Sequence, residues 1–449
     1  MISRKTAYWA AIAVIWALAL WHSWTSRGLF VDGANFLVHI VRQEAFFDFY
    51  MPRLYAMVLG QIPVMTAVTL GVTDLHLLAR LLSLGLFGLP TLFYTLALHR
   101  AKDDPVLLAV VIAAIAMVFM TTSFFIVGEY NTLYAVTLLI AVRLATADHL
   151  RLWDSIALLL LSLMAIRTYE TMIYLGPLLC VIMLWKVWRA PARPLVPTLL
   201  HLVSAVFMIL AMQVAINSVV HPHSADHLEE TWVMAVDFWQ NLQFDLVVGA
   251  AVIVVGWALI KPQDLKRPLP YLCGGVFLVL LALSPLLALS DGLVRPLAKS
   301  QYVARTVSGL IIAAMILLIV FWRSPAASKV RAGAALHVAP AAGRFLGFAF
   351  LMLLAGLPAD LFLTQSWVAY LDAMRASVRT HSGVIAVEDT PIGHRPHDLL
   401  VESWVLTSQS LLLRGHPGDG VLAPPRSFTE WVPFPPQELP NMGRFYWRD

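Results

Sequence analysis

The sequence predicts an all-α polytopic membrane protein. It would have about eleven transmembrane helices, interfacial helices in the first outer loop and a small mixed C-terminal periplasmic segment. Three observations lead there. Of 449 residues, 59% are hydrophobic and only 13% are charged, too little charge to cover a soluble chain of that length. The mean hydropathy is +0.76. Apolar runs of about 20 residues, enough to cross a hydrocarbon core of roughly 30 Å, recur along most of the chain.

Taken in order, the predicted spans are 6–25, 76–98, 105–125, 130–147, 155–168, 171–188, 196–219, 244–260, 270–290, 303–322 and 345–364. The first follows Arg4 and Lys5 with no small-residue cleavage site behind it, so it reads as a retained helix and not a signal peptide. Candidate inner loops carry sixteen Lys and Arg against eight in the outer ones. That bias puts the N-terminus in the cytoplasm and the C-terminus outside. It holds only if residues 53–72 do not cross. Gln61 and Pro63 interrupt that apolar run, which reads as a helix lying in or dipping into the outer interface.

Residues 1–366 then form a transmembrane domain with its first outer loop at 26–75, and 367–449 a small extracytoplasmic segment. In that segment an amphipathic helix is predicted at 367–379 and strand-like runs at 383–387 and 399–413, followed by Pro-rich, aromatic coil. The pI near 9.1 does not point to nucleic acid, because the basic residues sit in short loops without a cluster. Cys180 and Cys273 fall inside predicted spans and suggest neither a disulfide nor a metal pair.

The candidate chemistry collects on the predicted outer face. Asp32, in Gly28-Leu29-Phe30-Val31-Asp32-Gly33-Ala34-Asn35-Phe36, is a carboxylate among apolar and aromatic residues at the membrane surface. Such a position asks for a partner or a task, although Asp32 also fits a helix N-cap. Glu129 opens the fourth span, where the positive helix end favours an acid. Arg167 and Glu170 have the spacing of an ion pair that closes a tight turn. Arg295, Lys299 and Arg305, with Tyr302 among them, either snorkel to headgroups or meet an anionic group, and Arg53 adds a cation from the first loop. Jointly these offer carboxylates for proton abstraction and cations for an anion. His221, His223, Asp226 and His227 read as a solvated loop, since nothing fixes a tetrahedral set, and no metal is expected there.

Residues 6–190 resemble the N-terminal signature of the GT-C superfamily of membrane glycosyltransferases, among them the lipid A aminoarabinose transferases and protein O-mannosyltransferases. The resemblance rests on Asp32 in the first outer loop and on Met51-Pro52-Arg53-Leu54-Tyr55 opening the interfacial helix. Ala79-Arg80-Leu81-Leu82-Ser83 leads into the second span, which ends on His99-Arg100. Gly128-Glu129-Tyr130-Asn131-Thr132-Leu133 resembles the superfamily's second acidic position, and Arg167-Thr168-Tyr169-Glu170 the turn before an apolar run holding Pro177. The resemblance implies inverting transfer of a sugar from a polyprenyl-phosphate donor to a glycan, lipid or protein acceptor among the membrane lipids. Asp32 and Glu129 would be catalytic; Arg53, Arg167, Glu170, Arg295, Lys299, Tyr302 and Arg305 would bind substrate. No cofactor is implied: Gly33 stands where many relatives carry a second acid, which leaves a divalent metal without that ligand. Two rivals are a transporter or flippase, which would usually show an internal repeat of spans, and an O-antigen ligase or polymerase, which would carry its long basic outer loop mid-chain.

Overall fold

A computed structural model describes residues 2–122, 129–221, 239, 241–288, 307–323, 338–393, 400–429, 432–435 and 437–448. The chain is mostly helical, and eight of its described helices are long and apolar enough to cross a membrane. After α1 (Arg4–Trp24) come α2 (Asp32–Gln43), α3 (Leu54–Thr69), α4 (Leu75–Ala101) and α5 (Pro105–Thr122). Then follow α6 (Glu129–Thr146), α7 (Leu152–Ala165), α8 (Met172–Arg189), α9 (Leu195–Val220) and α10 (Leu242–Ile260). The helical series ends with α11 (Leu269–Ala288), α12 (Val307–Arg323), α13 (Val338–Ala355) and α14 (Leu357–Thr380).

Local signals set many of these ends. Ser3 caps α1, Asp74 caps α4, and Asp104 accepts from the Val106 and Leu107 N–H groups at the start of α5, where Pro105 needs no donor. Lipid-facing helices leave apolar side chains exposed, as α9 does with Leu199, Val203, Val206 and Leu210. α6 is the opposite: nearly every residue is buried, as expected of a helix enclosed by others. It packs on α4 and α12, and its polar Asn131 donates to Thr122 Oγ1 at 3.1 Å.

The apolar run at 53–72 does fold as a helix over Leu54–Thr69, and its Gln61 interruption has a structural task. Gln61 is buried and clamps the extended stretch before it, accepting from Phe47 N–H and donating to Phe47 C=O, both at 2.8 Å. α3 has 16 residues and is not one of the eight candidate spans. It lies against α4 at a point where a Cβ on Gly85 would sit 1.7 Å from the Gly60 carbonyl.

Beyond the bundle, α14 runs across position 366 without a break, so a domain boundary placed there falls inside a helix. β1 (Val384–Ala386) lies within the predicted strand at 383–387 and pairs in parallel with β2 (Val421–Ala423). The second predicted strand, 399–413, is corrected. Its described part holds a 3-10 turn, Ser403–Val405, and then α15 (Leu406–Leu412). Helical spacing lets α15 pack on α2 while Gln409 donates to the Leu29 carbonyl at 3.3 Å.

The chain then closes on its own beginning. Asp74 bridges Tyr446, Arg444 pairs with Glu44 at 3.0 Å, and the Trp447 ring stacks on His76 at 4.5 Å. His223, Asp226 and His227 lie outside the described residues, and His221 is exposed just beyond α9.

Candidate functional site

The Asp32 loop is shaped by small residues meeting at short range. After α1 the chain makes a 3-10 turn, Arg27–Leu29. A Cβ on Gly28 would lie 2.7 Å from Ser83 Oγ of α4, and the Gly28 N–H donates to that oxygen at 2.9 Å. A Cβ on Gly33 would lie 1.6 Å from the Gly28 carbonyl. A side chain at Gly28 would push the loop off α4, and one at Gly33 would push the start of α2 off the Gly28 turn. Between them Val31 has φ 53° and ψ −126°, a strained conformation for a β-branched residue, of the kind that concentrates at functional sites. Val31, not Asp32, is the N-cap of α2; Asp32 is its first helical residue and is half-buried. The helix dipole still favours a negative charge there.

A buried ionic knot lies under the loop. His22 Nε2 is 2.7 Å from Asp360 Oδ1 and 2.8 Å from Arg27 Nη1. Arg27 also donates to Asp360 Oδ1 at 3.2 Å and to Thr364 Oγ1 at 2.6 Å. All four side chains are buried. The knot ties the end of α1 and the Arg27 turn to α14, and so anchors the loop that carries Asp32.

Arg53 organises the charged face. Its Nε donates to Glu170 Oε1 at 2.8 Å and its Nη1 to Glu129 Oε2 at 3.0 Å. The guanidinium also lies over Tyr169 at 4.7 Å and Tyr50 at 5.1 Å. Burial works against its charge, but Glu170 and then Glu129 outweigh that and hold the Arg53 pKa well above its ordinary value. Glu129 is the first residue of α6, and Glu170 sits in the turn between α7 and α8. The expected Arg167–Glu170 pair is therefore replaced: Glu170 is held by Arg53. Arg167 turns instead to an open pocket of about 420 Å³, lined also by Met51, Pro52, Gln213, Val214 and Asn217. Its backbone carbonyl accepts from Tyr55 N–H at 3.0 Å, which fixes the start of α3 beside it.

The carboxylates form one electrostatic group. Asp32, Arg53 and Glu170 all act on Glu129. A fifth member, Glu402, was not singled out in the sequence. Burial, and then the neighbouring Asp32 charge, push its pKa up to about 7. The turn that follows Glu402 packs against α2. The signal that could have found it is an acid set between Val401 and Trp404 in an otherwise apolar run. Asp360 and His22, 338 residues apart, left no local signal of their pairing.

The structure thus brings together Asp32, Arg53, Glu129 and Glu170, with Arg167 at an adjacent pocket. Arg295, Lys299, Tyr302 and Arg305 lie outside the described residues. Among the described residues no three His, Cys, Asp or Glu side chains gather as a metal-binding set. Chemically, the arrangement offers a half-buried carboxylate on a rigid loop, a second carboxyl near neutrality beside it, and an arginine already committed to two acids. Comparison of the chain with known protein families, characterised proteins and solved structures finds no match.

Proposed function

We propose that the chain is a GT-C-type membrane glycosyltransferase that moves a sugar from a polyprenyl-phosphate donor to a glycan, lipid or protein hydroxyl. The supporting observation is the gathering of Asp32, Glu129, Glu170 and Arg53 at one end of the helical bundle, beside a pocket that presents Arg167. The face is the periplasmic side of a bacterial inner membrane, with the N-terminus cytoplasmic. Adding α6, α7 and α12 to the eight long apolar helices gives eleven crossings.

Asp32 is the general base. As the acceptor oxygen attacks the anomeric carbon, its proton passes to the Asp32 carboxylate. The new C–O bond forms while the bond from the anomeric carbon to the phosphate oxygen breaks, and the single displacement inverts the centre. The departing lipid phosphate gains charge, which Arg167 neutralises at its pocket; the sequence offers Arg295, Lys299 and Arg305 for the same task, and a fixed cation aimed at developing charge is the usual source of such stabilisation. The prenyl chain follows the exposed side of α9, where Gln213 and Asn217 interrupt an apolar face. Glu129 and Glu170 act through Arg53: they lock its guanidinium and shape the sugar pocket.

The deciding experiment is Asp32→Asn in the purified full chain, supplied with a labelled polyprenyl-phosphate sugar. The change keeps shape and removes the base, so turnover should fall by about 10² to 10⁴-fold while the protein folds normally. A well-folded variant that keeps most of the parent's turnover would end this reading.

A further inference from the structure

The opposite end of the bundle holds a second cavity, of about 210 Å³, among the ends of α6, α8 and α12. Lys186 and Arg189, in the last turn of α8, both line it. At this spacing they share one face of the helix. Its floor is apolar, formed by buried Leu150 and Ile182 with Val320 of α12. Trp185 completes the wall, and the Arg189 guanidinium is steadied over the Trp188 ring at 5.1 Å.

Two features distinguish this place from cations that merely reach for water. Lys186 is half-buried, so part of its hydration is already lost. The one acid lining the cavity among the described residues, Asp148, is exposed; its charge acts on Lys186 but makes no close ion pair, so two cations face one acid. A net positive, partly dry cavity favours an anion. The same helix also exposes an apolar stripe, Val181, Leu184 and Trp188, on the face next to the one that lines the cavity. A phosphate bound at Lys186 and Arg189 would thus have hydrocarbon-compatible surface running away from it into the membrane, and Trp side chains suit the headgroup level.

We infer that this cavity binds the phosphate of an anionic phospholipid, with Lys186 and Arg189 holding the headgroup and its acyl chains lying along Val181, Leu184 and Trp188. Basic pockets between helix ends on the membrane's cytoplasmic side bind such headgroups by this means. The site is separate from the Asp32 cluster.

Purified full chain, delipidated in a neutral detergent, is titrated with phosphatidylglycerol or phosphatidylcholine, and bound lipid is counted by native mass spectrometry. Phosphatidylglycerol should bind in preference. Lys186→Gln and Arg189→Gln should each weaken that binding on the order of fivefold, and the pair more, whereas Arg267→Gln, at an exposed loop cation of the same end, should leave it unchanged. Lys186→Arg keeps the charge and should retain binding, which separates loss of the site from loss of the fold. Equal binding of both lipids, equal losses in Arg267→Gln, or displacement of the lipid by inorganic phosphate as readily as by phosphatidylglycerol would each overturn the inference.

Discussion

The two ends of the bundle each contain a three-residue ionic cluster, built with opposite arithmetic. At the Asp32 end one arginine, Arg53, is shared by two carboxylates, Glu129 and Glu170, and two further acids stand beside them. At the other end one carboxylate, Asp154, is shared by two arginines, Arg100 and Arg143, joining α4, α6 and α7. A cluster with one surplus cation near loops rich in Lys and Arg is a staple whose leftover charge faces headgroups. A cluster with surplus carboxylates, partly withdrawn from water, carries a desolvation cost that stability alone does not explain. That asymmetry separates the end suited to chemistry from the end suited to anchoring.

Removing the hub tests this most severely. Arg53→Ala leaves Glu129 and Glu170 facing each other at reduced hydration, and about 3 kcal/mol of stability should be lost. It would appear as a lower apparent melting temperature and a smaller folded fraction in detergent. Adding Glu129→Gln and Glu170→Gln to Arg53→Ala should restore much of the stability and none of the turnover. Recovery of turnover in the triple variant would show that the cluster only supports the fold.

The mirror experiment should have a smaller effect. Asp154→Asn frees Arg100 and Arg143, but these side chains are 34% and 20% exposed. Water can take over, so the loss should be about 1 kcal/mol, with turnover unaffected. A large loss of sugar transfer on this change would break the division between the two ends.

The last test is a pH dependence. Glu402 binds its proton more tightly in the folded chain, where its pKa is pushed up to about 7, than in the unfolded chain. The folded state therefore holds the extra proton between roughly pH 4 and 7, and stability falls as pH rises through that window. Glu402→Gln should remove the slope: its melting temperature should exceed the parent's at pH 8 and match it near pH 4. Parallel melting curves across that range would place Glu402 in ordinary solvent.

Much of the bundle was legible because apolar periodicity and caps are local properties. The predicted span at 105–125 begins where the observed α5 begins, with Asp104 as its cap and Pro105 as its first residue. Gln61 was visible as an interruption, but its task was not, since its partner is a backbone fourteen residues earlier. The charged site was half legible. Asp32, Glu129, Glu170 and Arg53 stand out as charges in apolar surroundings, yet which charge meets which depends on how helices cross. Arg167 and Glu170 looked paired because they are neighbours in sequence, and tertiary packing gave Glu170 to Arg53 instead. The run at 399–413 failed for a related reason: β-branched and aromatic residues suggest a strand, but contact with α2 requires a helical face.

The clasp of residues 444–448 over Glu44 and positions 73–76 bears on the order in which the molecule is made. Glu402 follows Asp32 by 370 residues, a gap of roughly 20–70 s at ordinary rates of chain synthesis. During that interval the first loop is already made while the segment that covers it does not yet exist. The Asp32 face is open and incomplete until translation has passed residue 448. A nascent chain halted between residues 170 and 402 would carry the loop, α4 and the residues of the Arg53 hub, yet lack the carboxyl that sits beside Asp32. The fold thereby ties completion of this face to completion of the clasp.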